Sequence, residues 1–164
     1  MYFVDAAFNS INKYGEELCG DNIEQILLDD SKILVLSDGL GSGVKANILA
    51  TMTSKIAATM LRQGSTIEET IDTLVHTLPI CSERKLAYST FTIIQVYKTG
   101  QVYVVEFDNP SIFIHRNGED YHVEKTLRTI DGKRIYESNF KIDKYTTIVA
   151  VSDGVIHAGV GRIL

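Results

Sequence analysis

Cysteine is scarce in this chain. The only two, Cys19 and Cys81, form neither a close-spaced metal pattern nor a disulfide framework, which suits a reducing, cytoplasmic setting. Neither has an arginine six residues on, so the loop of a cysteine-dependent phosphatase is missing. Positive charge is also short. Sixteen Lys and Arg against 21 Asp and Glu leave a net charge of −5. A mildly acidic chain has no general attraction for nucleic acid or an anionic membrane, and neither is expected as a partner. No apolar run approaches the ~20 residues needed to cross a bilayer. Met1-Tyr2-Phe3-Val4-Asp5 lacks the basic segment and apolar stretch of a secretory leader. The histidines, His76, His115, His122 and His157, are scattered and make no zinc pattern, and His157 reads as an ordinary loop residue. No Gly-Lys-Ser/Thr follows the glycine-rich stretch, which excludes a P-loop.

What is present fits one globular domain. The chain has 164 residues, 45% of them apolar, enough to bury a core. Residues 2–8 and 22–29 read as strands, and Asp29-Asp30-Ser31 as a hairpin turn. Residues 32–37 form a continuous apolar run of strand length, the mark of a buried strand. Three alternating glycines follow, and the pattern then turns helical from Val44 to Arg62. Val44, Ile48, Met52, Ile56 and Met60 recur every four residues and read as the core-facing stripe. Gly64 stops that helix, and Ser65-Thr66-Ile67-Glu68 reads as a capping box for a second one running to Leu78. The rest is mostly strand: 90–97 and 101–107 around Lys98-Thr99-Gly100, 111–115 and 121–124 around Asn117-Gly118, then 135–142 and 146–152. Two helices between groups of antiparallel strands predict an α+β fold.

One local pattern occurs twice. Residues 32–39 read Lys-Ile-Leu-Val-Leu-Ser-Asp-Gly, and residues 147–154 read Thr-Ile-Val-Ala-Val-Ser-Asp-Gly. In each, a strand delivers an aspartate at its C-terminal end, and the glycine lets the backbone turn away. Hard divalent cations such as Mg²⁺ and Mn²⁺ take carboxylate, carbonyl and water oxygens. The two strands are expected as neighbours with Asp38 and Asp153 converging on a shared ion. Asp21, in Gly20-Asp21-Asn22, is a third candidate. Asp-Gly after a strand is also a common turn, so either copy alone would be structural. Gly41-Ser42-Gly43-Val44-Lys45-Ala46 further matches a dinucleotide fingerprint, but Asp38 at the loop mouth would repel a pyrophosphate, and the helix leads to another helix. Lys45 reads as solvated and Cys19 as packing.

Gly20-Asp21-Asn22, Ser37-Asp38-Gly39-Leu40-Gly41-Ser42-Gly43-Val44-Lys45-Ala46 and Val151-Ser152-Asp153-Gly154-Val155 together resemble the metal-dependent (type 2C) protein phosphatases, in the bacterial branch named for stage II sporulation protein E. Asp108-Asn109-Pro110-Ser111, followed by Arg116-Asn117-Gly118-Glu119, is similar to a segment of the same branch. The resemblance implies an antiparallel β-sandwich flanked by helices (α-β-β-α). It implies two Mn²⁺ or Mg²⁺ ions: Asp38 bridging them, Asp153 on the first, and the Gly39 carbonyl with Asp21 on the second. A metal-bridged water is the implied nucleophile, and a phosphoserine or phosphothreonine of a regulatory protein the implied substrate. The family's final strand carries another metal-binding Asp. The chain stops at Gly159-Val160-Gly161-Arg162-Ile163-Leu164, so the C-terminal part of the family domain is expected to be absent. That leaves a second reading, a catalytically incomplete domain acting as a regulatory or protein-binding module. The unpaired sheet edge would also favour a homodimer.

Overall fold

The computed structural model describes residues 1–78 and 89–158. The chain opens with twenty residues that form neither helix nor strand. It continues as β1 (Asp21–Leu27), β2 (Ser31–Gly39), α1 (Gly43–Arg62), α2 (Ile67–Thr77), β3 (Ser89–Tyr97), β4 (Gln101–Phe107), β5 (Phe113–Arg116), β6 (Glu119–Asp120), β7 (Thr126–Ile130), β8 (Lys133–Lys141), β9 (Thr146–Val149) and the single-turn α3 (Asp153–Ile156). The strands make two antiparallel sheets. The larger runs β1-β2-β3-β4-β8-β7 and the smaller β6-β5-β9. The architecture is the expected α+β class.

Each face of the large sheet has its own core. Ile26, Ile33, Val35, Phe91, Ile93, Val105, Phe107 and Ile135 meet Ala57, Ala58 and Leu61 of α1 and Ile67, Ile71, Leu74 and Val75 of α2. On the other face Ile94, Val96, Val102, Val104 and Phe140 meet Ile112 and Ile114, with Leu34, Ile148 and Ala150 packed against them. β3 and β4 are covered on both sides, which is why their burial is almost continuous rather than alternating. The four apolar side chains of α2 each contribute roughly 1.5–3 kcal/mol by leaving water.

Four expectations need correction. Of the stripe Val44, Ile48, Met52, Ile56 and Met60, only Ile56 packs against the core and Met60 is half-buried, whereas Val44, Ile48 and Met52 are 56%, 51% and 56% exposed. The buried face of α1 is instead Gly43, Ala46, Ala50, Thr53, Ser54, Ala57, Ala58 and Leu61. Small residues let the helix lie close on β1 and β2, so the large ones are turned outward. The capping box is Thr66 with Glu69, one residue later than expected. Ser65 is already engaged, its N–H bonding to Met60 O while that of Gly64 bonds to Leu61 O, closing α1 in a Schellman turn. Residues 2–8 are not a strand. Tyr2, Val4 and Ala6 are half-buried and their neighbours exposed, but only isolated bonds hold them: Tyr2 N–H to Lys98 O at 2.9 Å and Lys32 Nζ to Val4 O at 2.7 Å. Residues 121–124 form no strand either, and β7 pairs with β8 where none was anticipated.

Candidate functional site

β2 is paired on both sides over most of its length, with Asp38 opposite Asp21 on β1 and Thr90 on β3. Its last residues are pinned from above by α1. The Ser37 hydroxyl is fully buried and donates to Ala50 O at 2.6 Å. A Cβ on Gly39 would stand 1.9 Å from Ala46 O, so only glycine permits this approach of helix to strand. Gly39 N–H donates to Gly20 O at 3.0 Å, which fixes the residue before Asp21. The loop then turns through Gly41 at φ +104° into Gly43 at φ +67°.

The second Ser-Asp-Gly arrives from the other sheet. β2 and β9 are therefore not neighbouring strands, contrary to the sequence expectation: among the described residues β9 is the edge of the small sheet and pairs only with β5. Packing of the two sheets, not pairing, brings their C-terminal ends together. Ser152 caps α3 and its hydroxyl donates to Asp21 Oδ2 at 2.7 Å. Asp153 opens α3 and lines the same cleft as Asp38, near enough for its charge to act on the Asp38 carboxyl. Asp21 and Asp153 thus each lie close enough to Asp38 for their charges to act on it.

That arrangement is electrostatically unfavourable without a cation. Burial, then the charges of Asp21 and Asp153, push the Asp38 carboxyl up to about 8. The donors are hard oxygens, and an adjoining cleft of about 160 Å³ is lined by Asp38, Gly39, Leu40, Gly41, Thr90, Asp108 and Asp153. The set fits a divalent cation that keeps water among its ligands. Among the described residues no three His, Cys, Asp or Glu side chains close around an ion.

Two cleft residues were not singled out from sequence. Thr90 follows from the β2–β3 register, which no local pattern reveals. Asp108 stands at φ +48°, and burial raises its carboxyl while Arg134 opposes this. Asn109 beside it donates to Thr92 Oγ1 at 2.8 Å, and the buried Glu106 accepts from Ile112 N–H at 2.7 Å and from Lys125 Nζ, so the loop is held rigidly. An Asp-Asn pair closing a strand was the available signal. His157 is exposed and follows α3 without lining the cleft. Cys19 is half-buried, with its thiol 3.7 Å from Ile11 O, and Cys81 lies outside the described residues.

Comparison with known proteins follows the same lines. The family model for stage II sporulation protein E (SpoIIE) matches residues 29–162. The fold is similar to the PP2C phosphatase domain with a fragment of the regulatory domain of the cell fate determinant SpoIIE from Bacillus subtilis. That match has a TM-score of 0.78 and 18% identity, over 93% of this chain and 46% of that one. It is similar also to the RsbU and RsbW domains of Rv1364c from Mycobacterium tuberculosis, with a TM-score of 0.75 and 18% identity over 93% and 44%. RsbX, solved in complex with magnesium, superimposes with a TM-score of 0.66 and 21% identity over 88% and 71%. The chain thus spans less than half the length of the first two. No curated protein matches it in sequence.

Proposed function

Because the chain belongs to the stage II sporulation protein E (SpoIIE) family, whose fold is that of the PP2C-type phosphatases, we propose that its cleft performs metal-dependent hydrolysis of phosphoserine or phosphothreonine on a regulatory protein. The observation that carries this reading is the meeting of Asp38 from one sheet with Asp153 from the segment after the other, at a cleft bordered by Gly39.

Asp38 and Asp153 would hold Mn²⁺ or Mg²⁺, with the Gly39 carbonyl and Asp21 serving a second ion. When bound, such ions offset the repulsion between water-derived hydroxide and phosphate and lower the pKa of the attacking water. The chain's own task is orientation. Ser152 fixes the Asp21 carboxylate, Ser37 and Ala46 fix the strand end that bears Asp38 and Gly39, and Thr90, whose hydroxyl donates to Asn109 Oδ1 at 3.4 Å, forms part of the cleft wall. No protein nucleophile is needed. Among the described residues no helix is long and apolar enough to cross a membrane, and we place the domain in the cytoplasm on its cysteine usage. A homodimer would cover the edge of β9 that no strand pairs among the described residues.

A second reading, a phosphatase fold that binds a partner without turning it over, is favoured by one observation: no third acidic, His or Cys side chain joins a candidate ion among the described residues. The test is calorimetric titration with Mn²⁺ alongside hydrolysis of a phosphoserine peptide at about 1 mM Mn²⁺, an excess over a weak site. Expected are weak binding, its loss in Asp38→Ala, and turnover of the isolated 164-residue chain near background. Unchanged affinity in Asp38→Ala refutes the site. In a longer form that includes the family's final strand, Mn²⁺ binding with no chelator-sensitive turnover favours the binding module.

A further inference from the structure

Between Ala7 and Leu18 every residue is exposed except one. That residue is Glu16. It belongs to the irregular N-terminal segment, yet its carboxylate sits on the glycine-rich loop far along the chain. Glu16 Oε1 accepts a hydrogen bond from the Ser42 hydroxyl at 2.7 Å. Its other oxygen fills the space beside Gly43, where a Cβ would stand 2.3 Å from Oε2. Two further contacts, both onto backbone carbonyls of the segment, continue the strap toward β1. Asn47 Nδ2 donates to Cys19 O at 2.8 Å, and Gly39 N–H donates to Gly20 O at 3.0 Å. Residues 16–20 therefore touch the loop at both of its ends and the first turns of α1.

The need for this contact lies in α1. Ser42 is its N-cap but makes no capping bond, because its hydroxyl is turned to Glu16, and the first turn carries no acidic residue. A helix N-terminus favours negative charge. Glu16 supplies that charge from outside the helix and spends no residue of the loop on it.

We propose that Glu16 is a positioning residue: through Ser42 and Gly43 it holds the loop between Gly39 and α1 in the conformation that presents Asp38 and Gly39 to a divalent cation. The role rests on the reading of Asp38 and Gly39 as ion ligands. Glu16 is not itself a ligand. It acts as outer groups at metal sites do, by fixing what the ligands are attached to.

The experiment measures two things on the 164-residue chain: hydrogen exchange of the amides of residues 40–46, and Mn²⁺ affinity by calorimetry. In Glu16→Ala, exchange of those amides should rise by about tenfold while exchange in β3 and β4 is unchanged, because only a local opening is released. Mn²⁺ affinity should fall by about tenfold, the low end of the scale seen when an outer partner of a ligand is removed. Glu16→Gln keeps an oxygen for Ser42 and should recover a good part of both. Ser42→Ala should match Glu16→Ala, and the double variant should add nothing, as for two residues acting through one contact. Unchanged exchange at 40–46 in Glu16→Ala overturns the strap whatever the metal does. Raised exchange with unchanged Mn²⁺ affinity overturns the positioning role. A wild-type chain that takes up no Mn²⁺ refutes the ion reading and with it the positioning role, and the exchange data still report whether Glu16 holds the loop.

Discussion

The same three residues, Ser-Asp-Gly, are folded here in two ways. In Ser37-Asp38-Gly39 they are the closing residues of a nine-residue strand with partners on both sides and a helix pressed on top. In Ser152-Asp153-Gly154 they follow a four-residue edge strand and open a single helical turn with no buried residue. The first copy is over-determined by packing. The second is free to adjust, held chiefly by what it touches in the site: Ser152 on Asp21, and Asp153 near Asp38. An ion placed between them would have one rigid ligand and one compliant one. Coordination could then tighten from the Asp153 side without straining the core.

Glycine substitution should break the comparison most sharply. Gly39→Ala forces a methyl onto the Ala46 carbonyl, a backbone atom that cannot yield without moving α1. We expect a loss of more than about 3 kcal/mol in denaturant unfolding, in the range of severe core overpacking. Gly154→Ala meets only Ser152 Oγ, at 3.9 Å, and should stay within ~0.5 kcal/mol. Similar losses at the two positions would mean that the ends are equally constrained.

The acidic residues separate the two copies by pH. The native Asp38 carboxyl is raised to about 8 from the ordinary value of 3.8, so the folded state binds more protons than the unfolded state between these limits. The favourable contribution is fully present below about 3.8 and is lost as pH rises through about 8. With chelator present, melting temperature should therefore fall across that window. Asp38→Asn should flatten the fall and exceed wild type near pH 8. Asp153→Asn removes only one of the neighbouring charges and should flatten it less. Mn²⁺ should restore wild-type stability at pH 8 and leave Asp38→Asn unmoved. A wild-type melting temperature that does not change between pH 4 and 8 contradicts the crowded-carboxylate account.

The rigid copy was legible in the sequence because its causes are local. An unbroken apolar run announced β2, and alternating glycines announced the loop. Its exact neighbours were not legible, since they depend on which strands pair and which merely pack. Placing β2 beside β9 followed from their like sequences, whereas sheet membership is decided by register and layer. The outward turn of Val44, Ile48 and Met52 was hidden for a related reason. Four-residue spacing marks a face of a helix but not the distance to the sheet, and Ala46, Ala50, Ala57 and Ala58 won the inner face because β1 and β2 come close. Glu16 and Thr90 reach the loop and cleft only through contacts distant in sequence, which no spacing rule encodes.

The smallest expected difference lies in the serines, and it tests whether compliance at the second copy is real. Ser37→Ala removes a buried donor from Ala50 O, but Ser54 Oγ remains on the same carbonyl at 3.0 Å, so no acceptor is orphaned. The loss should be about 1 kcal/mol, that of one ordinary hydrogen bond. Ser152→Ala removes the bond to Asp21; Ser152 is buried but the Asp21 carboxylate is only half-buried, so water can reach it in the hydroxyl's place. Its stability cost should be about half as large or less, a few tenths of a kcal/mol. The two should differ in kind as well. Ser37→Ala leaves the side chains around the cleft untouched and should not alter Mn²⁺ affinity once the protein is folded. Ser152→Ala releases the Asp21 carboxylate and should weaken Mn²⁺ by a factor of about ten, the low end of what loss of an outer partner does. In an Asp21→Asn background that effect should vanish, because the group being oriented is gone. If Ser152→Ala costs more stability than Ser37→Ala and spares Mn²⁺ affinity, then the second Ser-Asp-Gly is a structural joint between the sheets, and the compliant ligand must be sought elsewhere in the cleft, with Asp108 the first residue to test.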